Sequence, residues 1–242
     1  AAHIARTALG RGRRFVTANK ALLREAGPAL ASLASAQRHT GATLDFEAAV
    51  GGGVPIVRLL RESLAGHGLQ SVRGVLNGTT NYIITRIEQG ATYDQALTSA
   101  RSAGFAEADP SRDLKGHDAA DKIALLAWLA FGTDPASLSV RVRGLPVYIE
   151  HDVRDAMRHC KVIRLVAMAT RVADGVYASV APKLLAPDDP LAQVRDEENI
   201  IQLESESSGV VTVSGRGAGG PATASALLAD LLRAASPVPL FR

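Results

Sequence analysis

Asp118 and Lys122 stand four residues apart at the start of an apolar run, HDAADKIALLAWLAF. That separation places two side chains on one face of a helix, side by side. A carboxylate and an amine held together at the mouth of a buried helix can bind a polar small molecule and move a proton. The loop that feeds the run, GFAEADPSRDLKG from Gly104, adds Glu107, Asp113 and Lys115. The choice of lysine is informative. Of 27 basic residues 22 are Arg, and only Lys20, Lys115, Lys122, Lys161 and Lys183 are Lys. An ammonium can release and regain its proton when its surroundings lower its pKa, whereas a guanidinium effectively cannot.

The elements that must position these groups alternate at first. Residues 1–12 read as a helix closed by Gly10 and Gly12, and 14–17 as a short strand. A helix over 20–39, capped by Thr17 or Asn19, and a strand over 43–49 follow. That rhythm predicts a parallel α/β layer. Gly51, Gly52 and Gly53 break it, and Pro55 suits the first turn of a helix that runs to Gly66. A strand over 69–76 reaches the turn signal Asn77-Gly78. Thr79 or Thr80 then opens a helix to Gln89, a second covers 92–103, and the apolar helix runs from about His117 to Phe131. Beyond Gly132 a short helix around 152–158 precedes strands over 161–170, 177–185, 199–205 and 210–214, read as antiparallel. The glycine turn GRGAGG opens the last helix.

Composition narrows the classes. With 242 residues the chain can bury a real core, and at 4% aromatics that core must be mostly aliphatic. The net charge of +3 is spread out, and the tight basic cluster Arg11, Arg13 and Arg14 reads as a solvated helix end. Without interleaved aromatics it does not read as a nucleic-acid surface. No stretch has the length of a membrane span, and no secretory pattern opens the chain. A single cysteine, Cys160, excludes an internal disulfide and fits a reducing, cytoplasmic setting. The six histidines and Cys160 show no zinc spacing, and His117 reads as an exposed neighbour of Asp118.

Five segments in order, VTANKALL, FEAAVGGGVPIVRLL, SVRGVLNGTTNYI, the DLKGHDAADK block and GRGAGGPATASALLADLL, resemble the homoserine dehydrogenase family over nearly the whole chain. The resemblance implies reversible NAD(P)-dependent interconversion of L-homoserine and L-aspartate 4-semialdehyde, on the route to threonine, methionine and isoleucine. It implies that Lys122 is the acid/base group and that Asp118 binds substrate and orients that lysine. Glu107 and Asp113 match acids near the substrate ammonium and the cofactor, and Lys115 matches a candidate for the substrate carboxylate. Lys20, Gly104, Glu107, Gly217 and Gly219 match positions lining the cofactor cleft. FEAAVGGGVPI matches a sodium loop whose main-chain carbonyls would be those of Glu47, Val50, Gly52 and Val54.

The family's opening strand and glycine-rich phosphate turn have no counterpart here, and GRGAGG does not sit inside a first βαβ unit. The expected fold is therefore α/β, with a partial Rossmann-type layer from residues 1–50 and 219–242. An α+β substrate domain with mixed sheet follows over 51–160, and a strand-rich segment over 161–218 is expected to form a homodimer. Two other readings stay open at this point: a non-catalytic dimerising or substrate-binding remnant, and another NAD(P)-dependent amino-acid oxidoreductase.

Overall fold

The computed structural model describes residues 1–217 and 219–235. A small parallel layer opens the chain: α1 (Ala2–Gly10), β1 (Phe15–Val16), α2 (Lys20–Ala36) and β2 (Leu44–Asp45). β1 and β2 pair in parallel, as the alternating rhythm predicts. Asn19 caps α2, its side chain accepting from Leu22 N at 2.9 Å. The second strand is shorter than expected. After Asp45 the chain turns through a 3₁₀ segment, Glu47–Ala49, because Glu47 has other commitments. Its N–H donates to the Asp230 carboxylate at 2.8 Å, and its own carboxylate accepts from Val57 N at 2.8 Å and Arg58 N at 2.9 Å. Glu47 thus caps, from a distance, the single turn α3 (Ile56–Arg58), which widens into a π-helical turn over Leu59–Ser63. Pro55 lies at the N-cap of that turn, just before its first residue.

Most of the rest of the chain builds one six-stranded mixed sheet. In order come β3 (Leu69–Val75), α4 (Gly78–Glu88), α5 (Tyr93–Ser102), α6 (Ser111–Leu114), α7 (His117–Phe131), β4 (Val140–Val142) and α8 (Ile149–Arg158). Then follow β5 (Val162–Val172), β6 (Gly175–Leu185), α9 (Pro190–Gln193), β7 (Glu198–Ser205), β8 (Gly209–Arg216) and α10 (Gly220–Ala235). The sheet order is β4-β6-β5-β3-β7-β8, with every pair antiparallel except β4 and β6. β3 sits at the centre between β5 and β7. The longer helices α4, α7 and α8 lie across one face of the sheet and the short α9 against the other. Segments 51–160 and 161–218 therefore share one sheet. Residues 236–242 of the expected nucleotide-layer segment lie outside the described residues.

α7 is the helix on which the core closes. Ile123, Leu125 and Leu126 are fully buried, each stabilising the fold by roughly 1.5–3 kcal/mol. It packs on α2 at one side and on β3, β5 and β6 at the other. Gly116, at φ +79°, makes the left-handed turn that separates α6 from α7 and lets α7 start afresh. Among the described residues no helix is long and apolar enough to cross a membrane. The outer face of α10 leaves Leu228, Leu231 and Leu232 exposed.

Arg164 on β5 is fully buried, and every donor of its guanidinium is used. It pairs with both oxygens of Glu88, at 2.6 and 3.2 Å, and donates to the carbonyls of Ile163, Ala192 and Val194. It ties α4, β5 and the α9 loop together. Arg164→Ala strands Glu88, and equilibrium urea unfolding should show a loss of about 3–5 kcal/mol. Arg164→Met with Glu88→Leu should recover only part of that loss, since the Ala192 and Val194 carbonyls still lack donors.

Candidate functional site

The corner where β3 becomes α4 organises a cleft of about 300 Å³. β3 ends beside the helix layer, so the carbonyl of Leu76 reaches the buried face of α7 and accepts from Lys122 Nζ at 2.6 Å. Asn77 then caps α4: its Oδ1 accepts from Thr80 N at 2.9 Å. The sequence pointed to Thr79 or Thr80 as the cap. Both hydroxyls are engaged elsewhere, Thr79 with Phe105 O at 2.5 Å and Thr80 with Asn77.

Asp118 is the hub. Its Oδ2 lies 2.7 Å from Lys122 Nζ, and its Oδ1 lies 3.2 Å from Lys20 Nζ at the start of α2. Asn77 Nδ2 donates to Asp118 Oδ2 at 3.0 Å and to Asp113 Oδ1 at 2.7 Å. Burial by itself raises the Asp118 pKa, but the ammoniums of Lys122 and Lys20 and the hydrogen bonds from Lys122 and Asn77 outweigh it. The carboxyl is held well below the usual carboxylate range. Lys122 is only 7% exposed, so its charge depends on Asp118 and the Leu76 carbonyl. Those two contacts leave the third ammonium N–H available to the cleft.

The structure brings most of the expected residues to this one place. Lys20, Gly52, Gly104, Glu107, Asp113, Asp118, Lys122, Gly217 and Gly219 all line the cleft. Glu107 stands exposed at its rim and makes no hydrogen bond or salt bridge among the described residues. Lys115 is the exception. It follows the four-residue helix α6, which turns it outward, and it lines a separate cavity with Tyr93, His117 and Leu145. In the 47–54 loop, Glu47 O already accepts from Val50 N and Val54 O from Ile56 N. The Val50 and Gly52 carbonyls accept no hydrogen bond among the described residues. No cluster of three or more His, Cys, Asp or Glu able to hold a metal occurs among the described residues.

The glycine turn after β8 is pressed against a buried amide. A Cβ at Gly217 would lie 1.9 Å from Asn199 Cγ, so that position admits no side chain. Sequence reasoning did not find Asn77, Thr79 or the Leu76 carbonyl as site groups. The signal was the adjacency of Asn77-Gly78 to the end of a strand, which serves a turn and a cap equally well.

Comparison with known proteins converges on one family. A profile of the homoserine dehydrogenase family matches residues 55–232. The homoserine dehydrogenase of Synechocystis sp. is 42% identical over 230 residues, covering 93% of this chain and 52% of that protein. The NAD(+)-dependent homoserine dehydrogenase of Pseudomonas canavaninivorans is 38% identical over 228 residues, covering 94% and 64%. Among solved structures, a homoserine dehydrogenase from Thiobacillus denitrificans superposes with a TM-score of 0.87 at 33% identity, over 99% of this chain and 56% of that one. A hyperthermophilic archaeal homoserine dehydrogenase in complex with NADPH gives 0.80 at 31% identity, over 100% of this chain and 70% of that one. The chain spans about half the length of the first of these curated relatives.

The Asp118 geometry sets a pH dependence. Its folded pKa lies below the unfolded value of about 3.9, so its contribution to stability is complete above that value and is lost as pH falls below about 4. Burial raises the Glu47 and Asp230 carboxyls, which act in the opposite sense and are common to wild type and variant. Thermal unfolding between about pH 5 and pH 3 should therefore fall more steeply in wild type than in Asp118→Asn. At pH 7 the variant should be the less stable, because the Lys122 charge loses its carboxylate. Parallel acid limbs would contradict this account of Asp118.

Proposed function

Since the chain belongs to the homoserine dehydrogenase family, we propose that its cleft carries the substrate- and proton-handling half of the interconversion of L-aspartate 4-semialdehyde and L-homoserine. The observation that carries this reading is the buried Lys122 ammonium, held by Asp118 and Leu76 O with one N–H left over. In the reducing direction the aldehyde carbon gains a hydride and its oxygen gains a proton. Lys122 stabilises the developing oxyanion and supplies that proton; in the oxidising direction it accepts the hydroxyl proton. Asp118 keeps Lys122 charged and aimed, and the ammonium of Lys20 adds positive charge on the same side.

The amino-acid end of the substrate finds complementary groups. Glu107 is an unpaired carboxylate at the rim, suited to an α-ammonium, with Asp113 behind it. Gly78 and Thr79 line the cleft at the N-terminus of α4, where unsatisfied N–H groups and the helix dipole favour a carboxylate. They take the role that the sequence offered to Lys115, which faces another cavity.

An NAD(P)H cofactor would supply the hydride when bound. Lys20, Gly104, Gly217 and Gly219 line the wall available to its reactive end, and the Gly217 position is closed to any side chain. The parallel layer of the described residues has only two strands and no phosphate-binding glycine turn between a first strand and helix. The sodium reading rests on the Val50 and Gly52 carbonyls, which have no hydrogen-bond donor among the described residues. A homodimer through residues 161–218 is supported by apolar side chains exposed on the sheet, namely Val172, Tyr177, Leu184 and Val210.

In the natural full-length context, Lys122→Ala should lower kcat on the order of 10³-fold with a much smaller change in KM, read in a homoserine oxidation assay. Near-normal turnover would remove Lys122 from the chemistry. Calorimetric titration of the 242-residue chain with NADPH should give little heat. Tight, saturable binding would mean that the described residues suffice to hold the nucleotide.

A further inference from the structure

Asn77 holds more than its helix. Its side chain is buried, 4% exposed, and all of its polar capacity is spent. Oδ1 accepts from Thr80 N at 2.9 Å and from Thr80 Oγ1 at 3.0 Å. Nδ2 donates to Asp113 Oδ1 at 2.7 Å and to Asp118 Oδ2 at 3.0 Å. These contacts also fix the amide's orientation. Flipped, the oxygen would face two carboxylates and the NH₂ would face a backbone N–H, so three attractive contacts would become repulsive.

We propose that Asn77 is a positioning residue: a neutral two-proton clamp that holds Asp113 and Asp118 side by side and so sets the carboxylate on which Lys122 rests. This deepens the reading of the cleft given above and depends on it only for the catalytic readout. Two carboxylates brought together repel, and one of them tends to take up a proton. A cation between them would neutralise the site that the substrate's ammonium needs. An amide donates to both without adding charge. The other charged groups facing the pair are Lys20 from α2, Lys122 from α7 and Glu107 from the loop after α5. Lys20 and Lys122 both reach Asp118. Among the described residues the close donor to Asp113 from outside its own helix is Asn77; the Thr79 hydroxyl lies 3.3 Å away, with its proton directed to Phe105 O at 2.5 Å. Asp118 also divides its Oδ2 between Lys122 and Asn77, which makes it a weaker competitor for the Lys122 proton.

Capping and clamping can be separated by substitution. Ser and Asp cap helices about as well as Asn, but Ser is too short to span two carboxylates and Asp adds a third negative charge. In the full-length enzyme, Asn77→Ser should stay folded and keep its cap, with the unfolding temperature lowered only by the two lost amide bonds. Its kcat should fall about tenfold while KM changes little, because the substrate contacts remain and the carboxylate under Lys122 is no longer fixed. Asn77→Asp should lower kcat further. Carboxyl-carbon NMR titration of the 242-residue chain reads the same clamp without catalysis: the Asp118 inflection should rise in Asn77→Ser. If wild type shows no homoserine-dependent activity, the functional reading fails and the NMR titration alone decides the clamp. An Asp118 inflection and a kcat that coincide with wild type in both variants would overturn it and leave Asn77 a helix cap only.

Discussion

A lysine ammonium that is 7% exposed must have a counter-charge, and the structure is arranged around supplying it. Transfer of an unpaired ammonium into a protein interior costs several kcal/mol, more than most side-chain contacts return. Asp118 meets the need from one turn earlier on the same helix, which explains why the pair is local in sequence. A carboxylate in that position is itself half-desolvated and needs donors of its own. Lys20 and Asn77 provide them, and each comes from a different element. The requirement of one buried charge thereby fixes the relative placement of α2, the β3–α4 corner and α7.

A second charge-driven joint governs how the glycine-lined wall reaches the cleft. Asp230 on α10 accepts from Glu47 N and lies 3.5 Å from Arg58, while Glu47 caps α3 with its carboxylate. Arg233, one turn further along α10, contacts Asp45 and Glu62. Burial raises both the Glu47 and Asp230 carboxyls, with the Asp230 charge raising Glu47 further, so this joint works against ionisation where the Asp118 cluster works with it. Its net effect is to fasten α10, with Gly219 just before it, to the 47–58 loop, and both line the cleft.

What sequence disclosed follows from where the chemistry is encoded. Asp118, Lys122 and Asp113 were legible because helical spacing and one contiguous block carry them. Lys20 was legible only through the family resemblance, since nothing local distinguishes it from a surface lysine. Asn77 was read as a turn because three capping residues crowd NGTT and composition cannot say which side chain is free. Lys115 lines a different cavity because a four-residue helix sets its direction, and local pattern does not encode so short a helix. The strand expected over 43–49 stopped at Asp45 because Glu47 is spent on partners 10 and 183 residues away. β4 has three residues and no periodicity to detect. The central place of β3 in the sheet depends on pairing with β5 and β7, which local pattern does not encode.

A parallel layer of two short strands would be expected to stand poorly alone, yet its core is continuous with the rest. Ala5, Leu23 and Leu30 belong to the same buried cluster as Ile123, Ala167 and Leu203. The junction is the α2–α7 contact. Gly27 leaves room for Trp128, where a Cβ would come within 2.9 Å of the ring, and Trp128 stacks on Phe46 with centroids 5.6 Å apart. α7 therefore presents three functional faces: one packs the nucleotide-side helix, one packs the sheet, and its first turns hold Asp118 and Lys122. Lys20 begins α2 where that helix meets α7, so the shared Asp118 sits at the same junction that joins the two layers. The placement of the Asp118–Lys122 pair and the attachment of the small parallel layer are thus two consequences of one helix packing.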